Sequence, residues 1–197
     1  MSTVTTPLTT QPMTAAEFHD WTQRPENANK FFELVRGEVI ELPSPTKRHC
    51  VVCANVTFLL VSYIRQRRKG YVTSNDCGVI LERDPDTVRG PDVAVYEDAR
   101  SFEELHPKYG EVPPRLAVEV LSPNDRANRV LRKIMDYLRN GVELVWVIDP
   151  ETRTVTVYRP DKTPYPLDAN QELTGEDVLP DFKCPVAELF DLPGTQP

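Results

Sequence analysis

The stretch RLAVEVLSPNDRANRVLRKIMDYLRNGVELVWVIDP, from Arg115 to Pro150, constrains the fold more than any other part of the chain. RLAVEVL is a nearly continuous apolar run that closes at Ser122 and Pro123. Asn124 or Asp125 is then placed to cap a helix that runs to Asn140 and Gly141. VELVWVIDP follows directly as a second buried strand. A strand, a helix of about four turns and another strand require a crossover, so the two strands are expected to pair in parallel with a right-handed connection. The chain is therefore expected to be α/β, with a central mixed β-sheet flanked by helices.

The remaining segments fit around that unit. In MTAAEFHDWT, Thr14 and Glu17 have the spacing of a capping box, which predicts a short helix. FFELVRGEVIELPSP alternates around Arg36-Gly37, the signature of a hairpin. From Lys47 to Lys69, Val52, Val56, Leu59, Leu60 and Tyr63 recur at helical spacing, and Gly70 supplies a stop. YVTSNDCGVILERDPDTVRGPDVAVY reads as short strands with DPD as a turn. Glu97 to Pro114 reads as a surface excursion, TRTVTVYRP as an exposed strand, and VAELFDLPGTQP as a short helix. A single domain over 13–190 is expected, with disordered tails at 1–12 and 191–197.

The chain has 197 residues, enough for one core and short for two. Its longest nearly apolar run, VTFLLVSYI, is under half of the roughly 20 residues that span a bilayer, so no membrane association is expected. MSTVTTPLTTQP lacks the features of a signal or transit peptide, which predicts a cytoplasmic protein with its four cysteines reduced. The net charge of −7 excludes binding of nucleic acid by bulk positive charge. Local basic surfaces would be needed, and RQRRK at Arg65 to Lys69 or the series Arg126, Arg129, Arg132, Lys133 and Arg139 are the candidates.

Three charged residues in the α/β core carry the chemistry. Asp92 opens the strand of RGPDVAVY, Glu119 lies inside LAVEVL, and Lys133 lies on the following helix. A lone carboxylate in a buried strand is costly unless it is paired or bound to metal. Two carboxylates on adjacent strands suit magnesium or manganese, which prefer oxygen ligands. Arg126, Arg129 or Val130, Lys133, Tyr137 and Asn140 share one helix face, with Leu131, Ile134, Met135 and Leu138 as the apolar side. Lys133 can thus lean toward the acids, an arrangement suited to phosphodiester hydrolysis. The alternative is that Glu119 pairs with an Arg or Lys and Asp92 caps a turn.

FELVRGEVIELPSPTKRH, RGPDVAVY, the Arg115 to Pro150 stretch and TVTVYRP, in that order, resemble the Uma-type restriction endonucleases, a bacterial branch of the PD-(D/E)XK nuclease superfamily. The resemblance runs from about Thr14 to Phe190. It implies a restriction-endonuclease-like core and a magnesium- or manganese-dependent endonuclease that cuts DNA with metal-activated water and no organic cofactor. It also implies Asp92 and Glu119 as metal ligands, with Lys133 and a further acid, Glu33, completing the catalytic set. Many superfamily members carry the lysine two residues after the second acid. That position is Leu121 here, and Lys133 supplies the amine instead. His49, Arg126, Arg129 and Tyr137 are expected to contact the metal's ligands or phosphate.

A zinc site in HCVVC, with His49, Cys50 and Cys53 completed by Cys77 or Cys184, competes with the packing of free Cys as a small hydrophobe, which the lack of a second paired motif favours. Ser122 has no nucleophile elbow around it, and no phosphate-binding glycine loop is present. A homodimer is expected for cutting both strands. The competing class of function is a catalytically inactive DNA-binding or regulatory module on the same fold.

Overall fold

The computed structural model describes residues 12–99 and 101–192; the expected tails at 1–12 and 191–197 lie outside these, except for Pro12, Asp191 and Leu192. Helix α1 (Ala15–Thr22) starts at the capping box, with Thr14 accepting from Glu17 N and Glu17 accepting from Thr14 N. Strands β1 (Phe31–Val35) and β2 (Glu38–Leu42) form the hairpin. Its turn needs positive φ twice, at Arg36 (50°) and Gly37 (76°), and a Cβ on Gly37 would also collide with Pro12. Helix α2 (Lys47–Arg67) is capped by Thr46 and buries Val52, Val56, Leu60 and Ile64, a strict i, i+4 stripe. Arg68, in the left-handed region at φ 53°, ends it two residues before the expected Gly70.

The strands that follow are β3 (Tyr71–Ser74), β4 (Val79–Glu82), β5 (Thr87–Arg89) and β6 (Val93–Tyr96). After an excursion with one 3-10 turn at Phe102–Glu104 come β7 (Leu116–Val120), α3 (Ala127–Arg139), β8 (Leu144–Asp149), β9 (Thr154–Arg159) and β10 (Lys162–Leu167). Two short strands, β11 (Glu172–Thr174) and β12 (Lys183–Pro185), precede a closing 3-10 turn at Val186–Phe190.

A six-stranded sheet in the order β10-β9-β8-β7-β6-β3 is the centre. The β7 and β8 strands pair in parallel, Leu116 opposite Leu144, while its other neighbours pair antiparallel, so the sheet is mixed as expected. A separate four-stranded antiparallel sheet, β2-β1-β5-β4, takes the hairpin together with β4 and β5. Strand alternation splits the core. Leu116, Val118 and Val120 pack on the α2 side, and Ala117 packs with Ile134 and Tyr137 of α3 on the other.

Helix α3 departs from expectation twice. Asp125 does not cap it: its carboxylate accepts from Ser122 N at 2.7 Å, and the N-cap residue is Arg126, with no side-chain cap. Its buried side is also only partly the expected one: Ile134 and Leu138 pack against the sheet with Val130 and Tyr137. Ile134 and Tyr137 are buried, but Leu131 and Met135 are exposed, because the charged Lys133 turns toward the sheet. Apolar packing by Ile134, Tyr137, Val130 and Leu138 and the ion pairs of Lys133 act on the same face of this helix. VTFLLVSYI lies within α2, and among the described residues no helix is long and apolar enough to cross a membrane. All four cysteines are free.

Candidate active site

The alternation of β7 that sends Val118 and Val120 toward α2 sends Glu119 toward α3. The β6 and β7 strands pair Val93 with Val118, so one step further along the register Asp92 stands across from Glu119. Each acid is only 9% exposed. Asp92 accepts from Val120 N at 2.6 Å through Oδ2, and its Oδ1 lies 3.1 Å from His49 Nε2 at the start of α2. Tyr137, fully buried, donates to Glu119 Oε1 at 2.8 Å.

Lys133 is the hub. Its Nζ meets Glu119 Oε2 at 2.6 Å, Glu33 Oε1 at 2.9 Å and Gly90 O at 2.8 Å, so its three hydrogens are all engaged. Glu33 is buried as well. The β1 to β5 register pairs Leu34 with Val88, which sets Glu33 opposite Arg89, and Arg89 Nη1 reaches Glu33 Oε2 at 2.7 Å. Gly90 N donates to Glu33 Oε1 at 3.1 Å, and Arg89 Nε binds Asp136 of α3 at 3.0 Å. Gly90 must be glycine on steric grounds, because a Cβ there would stand 2.6 Å from the carbonyl oxygen of Asp76.

A cavity of about 80 Å³ opens over these groups, and the carboxylates of Glu33, Asp76, Asp92, Glu119 and Asp125 line it against Arg129, Lys133 and the titratable His49. The acidic excess shows in the ionisation of the site. Burial pushes Glu119 up to about 8, and the charges of Asp92 and Glu33 add to the rise against the pull of Lys133. Burial and the charge of Asp92 push Asp76 up to about 6. Burial alone would raise Glu33 too, but Lys133 and Arg89 hold it low. Burial would lower Lys133, yet the charges of Glu119, Glu33 and Asp92 raise it, so the amine stays protonated. His49 is likewise raised, because Asp92, Asp76 and Asp125 outweigh its burial.

Of the residues singled out in the sequence, Glu33, His49, Asp92, Glu119, Lys133 and Arg129 all line this cavity. Tyr137 stands behind Glu119, out of reach of a phosphate, and the exposed Arg126 at the α3 N-cap is not on the wall. Sequence reasoning missed Asp76, Arg89, Gly90 and Asp136. Arg89 and Gly90 were visible beside Asp92, but their roles depend on a register between two sheets. Asp76 lay in an ordinary polar turn, SNDCG, with no spacing to mark it.

The donor set fits a hard divalent cation. Five carboxylates line one small cavity, and Glu119 and Asp76 are raised by burial first and by the charge of neighbouring acids second, a cost that such a cation would relieve. Asp92 and Glu119 are the residues that could hold it.

No curated protein matches the chain. Among solved structures, a crystal structure titled as a putative nuclease belonging to DUF820, from Anabaena variabilis, aligns with a TM-score of 0.76 and 22% identity, covering 91% of this chain and 98% of that one. At that identity the likeness shows the fold: a mixed α/β architecture shared over nearly the whole length. Residues 15–187 match the Uma2 family, whose description is "Putative restriction endonuclease", and the chain belongs to that family.

Proposed function

We propose that this protein is a magnesium- or manganese-dependent endonuclease that hydrolyses DNA phosphodiester bonds. The observation that carries this reading is the Asp92 and Glu119 pair on adjacent strands, with the Lys133 ammonium 2.6 Å from Glu119 at the edge of an acidic cavity. Asp92 and Glu119 would hold the cation, which when bound supplies Lewis-acid polarisation of the phosphate and a water of lowered pKa.

The chain's own residues do the rest. Val120 N–H and His49 orient the Asp92 carboxylate, and Tyr137 orients Glu119. Lys133, held charged by its carboxylates, puts a positive charge on the cavity wall that offsets charge building on the phosphate, and it orients the attacking water only by releasing one of its three present partners. Glu33 assists by fixing that ammonium, since both of its oxygens are already engaged by Arg89, Gly90 and Lys133. Arg129 on the cavity wall, and Arg126 at the start of α3, are suited to flanking phosphates. The reading places the protein in the cytoplasm, as a homodimer whose two sites cut the two strands.

Incubation of purified protein with supercoiled plasmid and Mg²⁺ or Mn²⁺ tests the reading. Nicked and linear products are expected from wild type and none from Asp92→Ala. Absence of metal-dependent cleavage, together with unchanged metal binding by Asp92→Ala, overturns it. DNA binding that is steeply salt-dependent and survives loss of both acids would identify a binding module instead.

A further inference from the structure

His49 and Cys53 stand one turn apart on one face of α2, and both look onto Asp92. Cys53 Sγ lies 3.5 Å from His49 Nδ1, and His49 Nε2 lies 3.1 Å from Asp92 Oδ1. One ligand atom from each of the three lies within 4.8 Å of the other two. The donors differ in kind from the rest of the cavity. Thiolate, imidazole and carboxylate together are taken by zinc-class ions, whereas magnesium prefers oxygen alone. With bond lengths of about 2.1 Å to nitrogen and 2.3 Å to sulfur, a tetrahedral zinc holds such a pair about 3.5 Å apart. His49 Nδ1 and Cys53 Sγ have that separation, and the Asp92 carboxylate, which now faces the other ring nitrogen, has to turn toward the Nδ1 side to complete the set.

The geometry points to a second cation site, for a zinc-class transition metal, built from His49, Cys53 and Asp92 with water as the fourth ligand. Binding exchanges the thiol proton of Cys53, released to solvent, for the bond between sulfur and metal. The sulfur donor, which magnesium does not favour, makes the site discriminate against magnesium. An open groove of about 770 Å³, lined by His49, Cys53 and Asp92, gives the ion its way in. Because Asp92 is shared, an ion here draws it away from Glu119. On the proposed nuclease reading, zinc is therefore an inhibitor of the enzyme.

Metal-free protein titrated with Co²⁺ alone tests the site. Wild type is expected to develop a thiolate-to-cobalt charge-transfer band at one equivalent, which Zn²⁺ then abolishes. Cys50→Ala and Glu119→Gln should keep the band and Cys53→Ala should lose it. Loss of an outer partner of a ligand already costs about 10–100-fold in affinity, so Cys53→Ala should weaken zinc binding by about 100-fold or more. Zinc should also protect wild-type Cys53 from alkylation, read by mass spectrometry, a measurement that needs no variant. No band in wild type, a band that survives in Cys53→Ala, or no protection overturns the site. Where Mn²⁺ supports cleavage, zinc that halts wild type should leave Cys53→Ala cutting, and equal inhibition of both overturns the shared-ligand argument. A failure to cut DNA at all counts against the nuclease reading while the cobalt band still decides the site.

Discussion

Replacing Glu119 with Gln removes one charge and almost no volume. In metal-free protein the Glu119 carboxyl is pushed up to about 8, against an ordinary value of 4.5, by burial first and then by Asp92 and Glu33. Between those values the folded chain holds a proton that the unfolded chain has released, so stability is full at low pH and falls as pH rises toward 8. The gap of about 3.5 pH units at about 1.4 kcal/mol per unit corresponds to about 5 kcal/mol. Gln does not titrate and keeps an acceptor for the Tyr137 hydroxyl, but its amide nitrogen cannot accept from Lys133 as Glu119 Oε2 does, a cost that does not vary with pH in this range. Urea unfolding in a chelator at pH 5, 7 and 9 should find the difference between the two proteins moving in the variant's favour by about 5 kcal/mol from pH 5 to pH 9. Saturating Mg²⁺, at about 100 times its Kd, should add about 2.7 kcal/mol to wild type and nothing to the variant. A difference that does not change with pH, or one that moves in favour of wild type as pH rises, refutes the reasoning.

Lys133→Met strands Glu33 and Glu119 without their shared cation, so a loss of about 3–5 kcal/mol in urea unfolding is expected together with loss of plasmid cleavage. Gly90→Ala forces the Asp76 carbonyl and the Gly90 backbone apart. Because that backbone binds both Glu33 and Lys133, a cost of about 1–3 kcal/mol and weaker Mn²⁺ binding by calorimetry are expected. Leu60→Ala, in the core between α2 and the sheet, should cost about 2–5 kcal/mol while the folded protein binds Mn²⁺ as wild type does.

How much of this was legible in the sequence depended on distance along the chain. The capping box at Thr14, the Arg36-Gly37 turn and the parallel pairing of β7 and β8 are local signals, and each is present in the structure. Glu119 announced itself because a carboxylate inside LAVEVL is anomalous whatever surrounds it. The division of the strands into two sheets was not legible, since β3 to β6 are all strands of three or four residues and nothing local assigns β4 and β5 to a different sheet from β3 and β6. With it went the roles of Arg89 and Asp136: the pairing of Glu33 with Arg89 exists only across the register of β1 and β5. The orientation of α3 was misread for a related reason. Counting apolar residues chose Leu131, Ile134, Met135 and Leu138 for the interior; Ile134 and Leu138 pack there, while Leu131 and Met135 are exposed and Lys133 takes the inward place beside Glu33 and Glu119.

The same accounting explains how the chain manages without a lysine at position 121. Leu121, two residues beyond Glu119, shares its face of β7 and packs in the cluster beneath α3. A lysine there and a lysine reaching down from α3 would deliver an ammonium to the same space beside Glu119. Supplying it from the helix has a structural consequence that a strand lysine lacks. Lys133 binds β7 through Glu119, β1 through Glu33 and the β5 to β6 link through Gly90, so one side chain ties α3 to both sheets. The charge that the proposed chemistry needs is therefore also a charge that helps to hold the helix, beside the apolar packing of Ile134 and Tyr137, and a substitution at Lys133 cannot remove one role without the other.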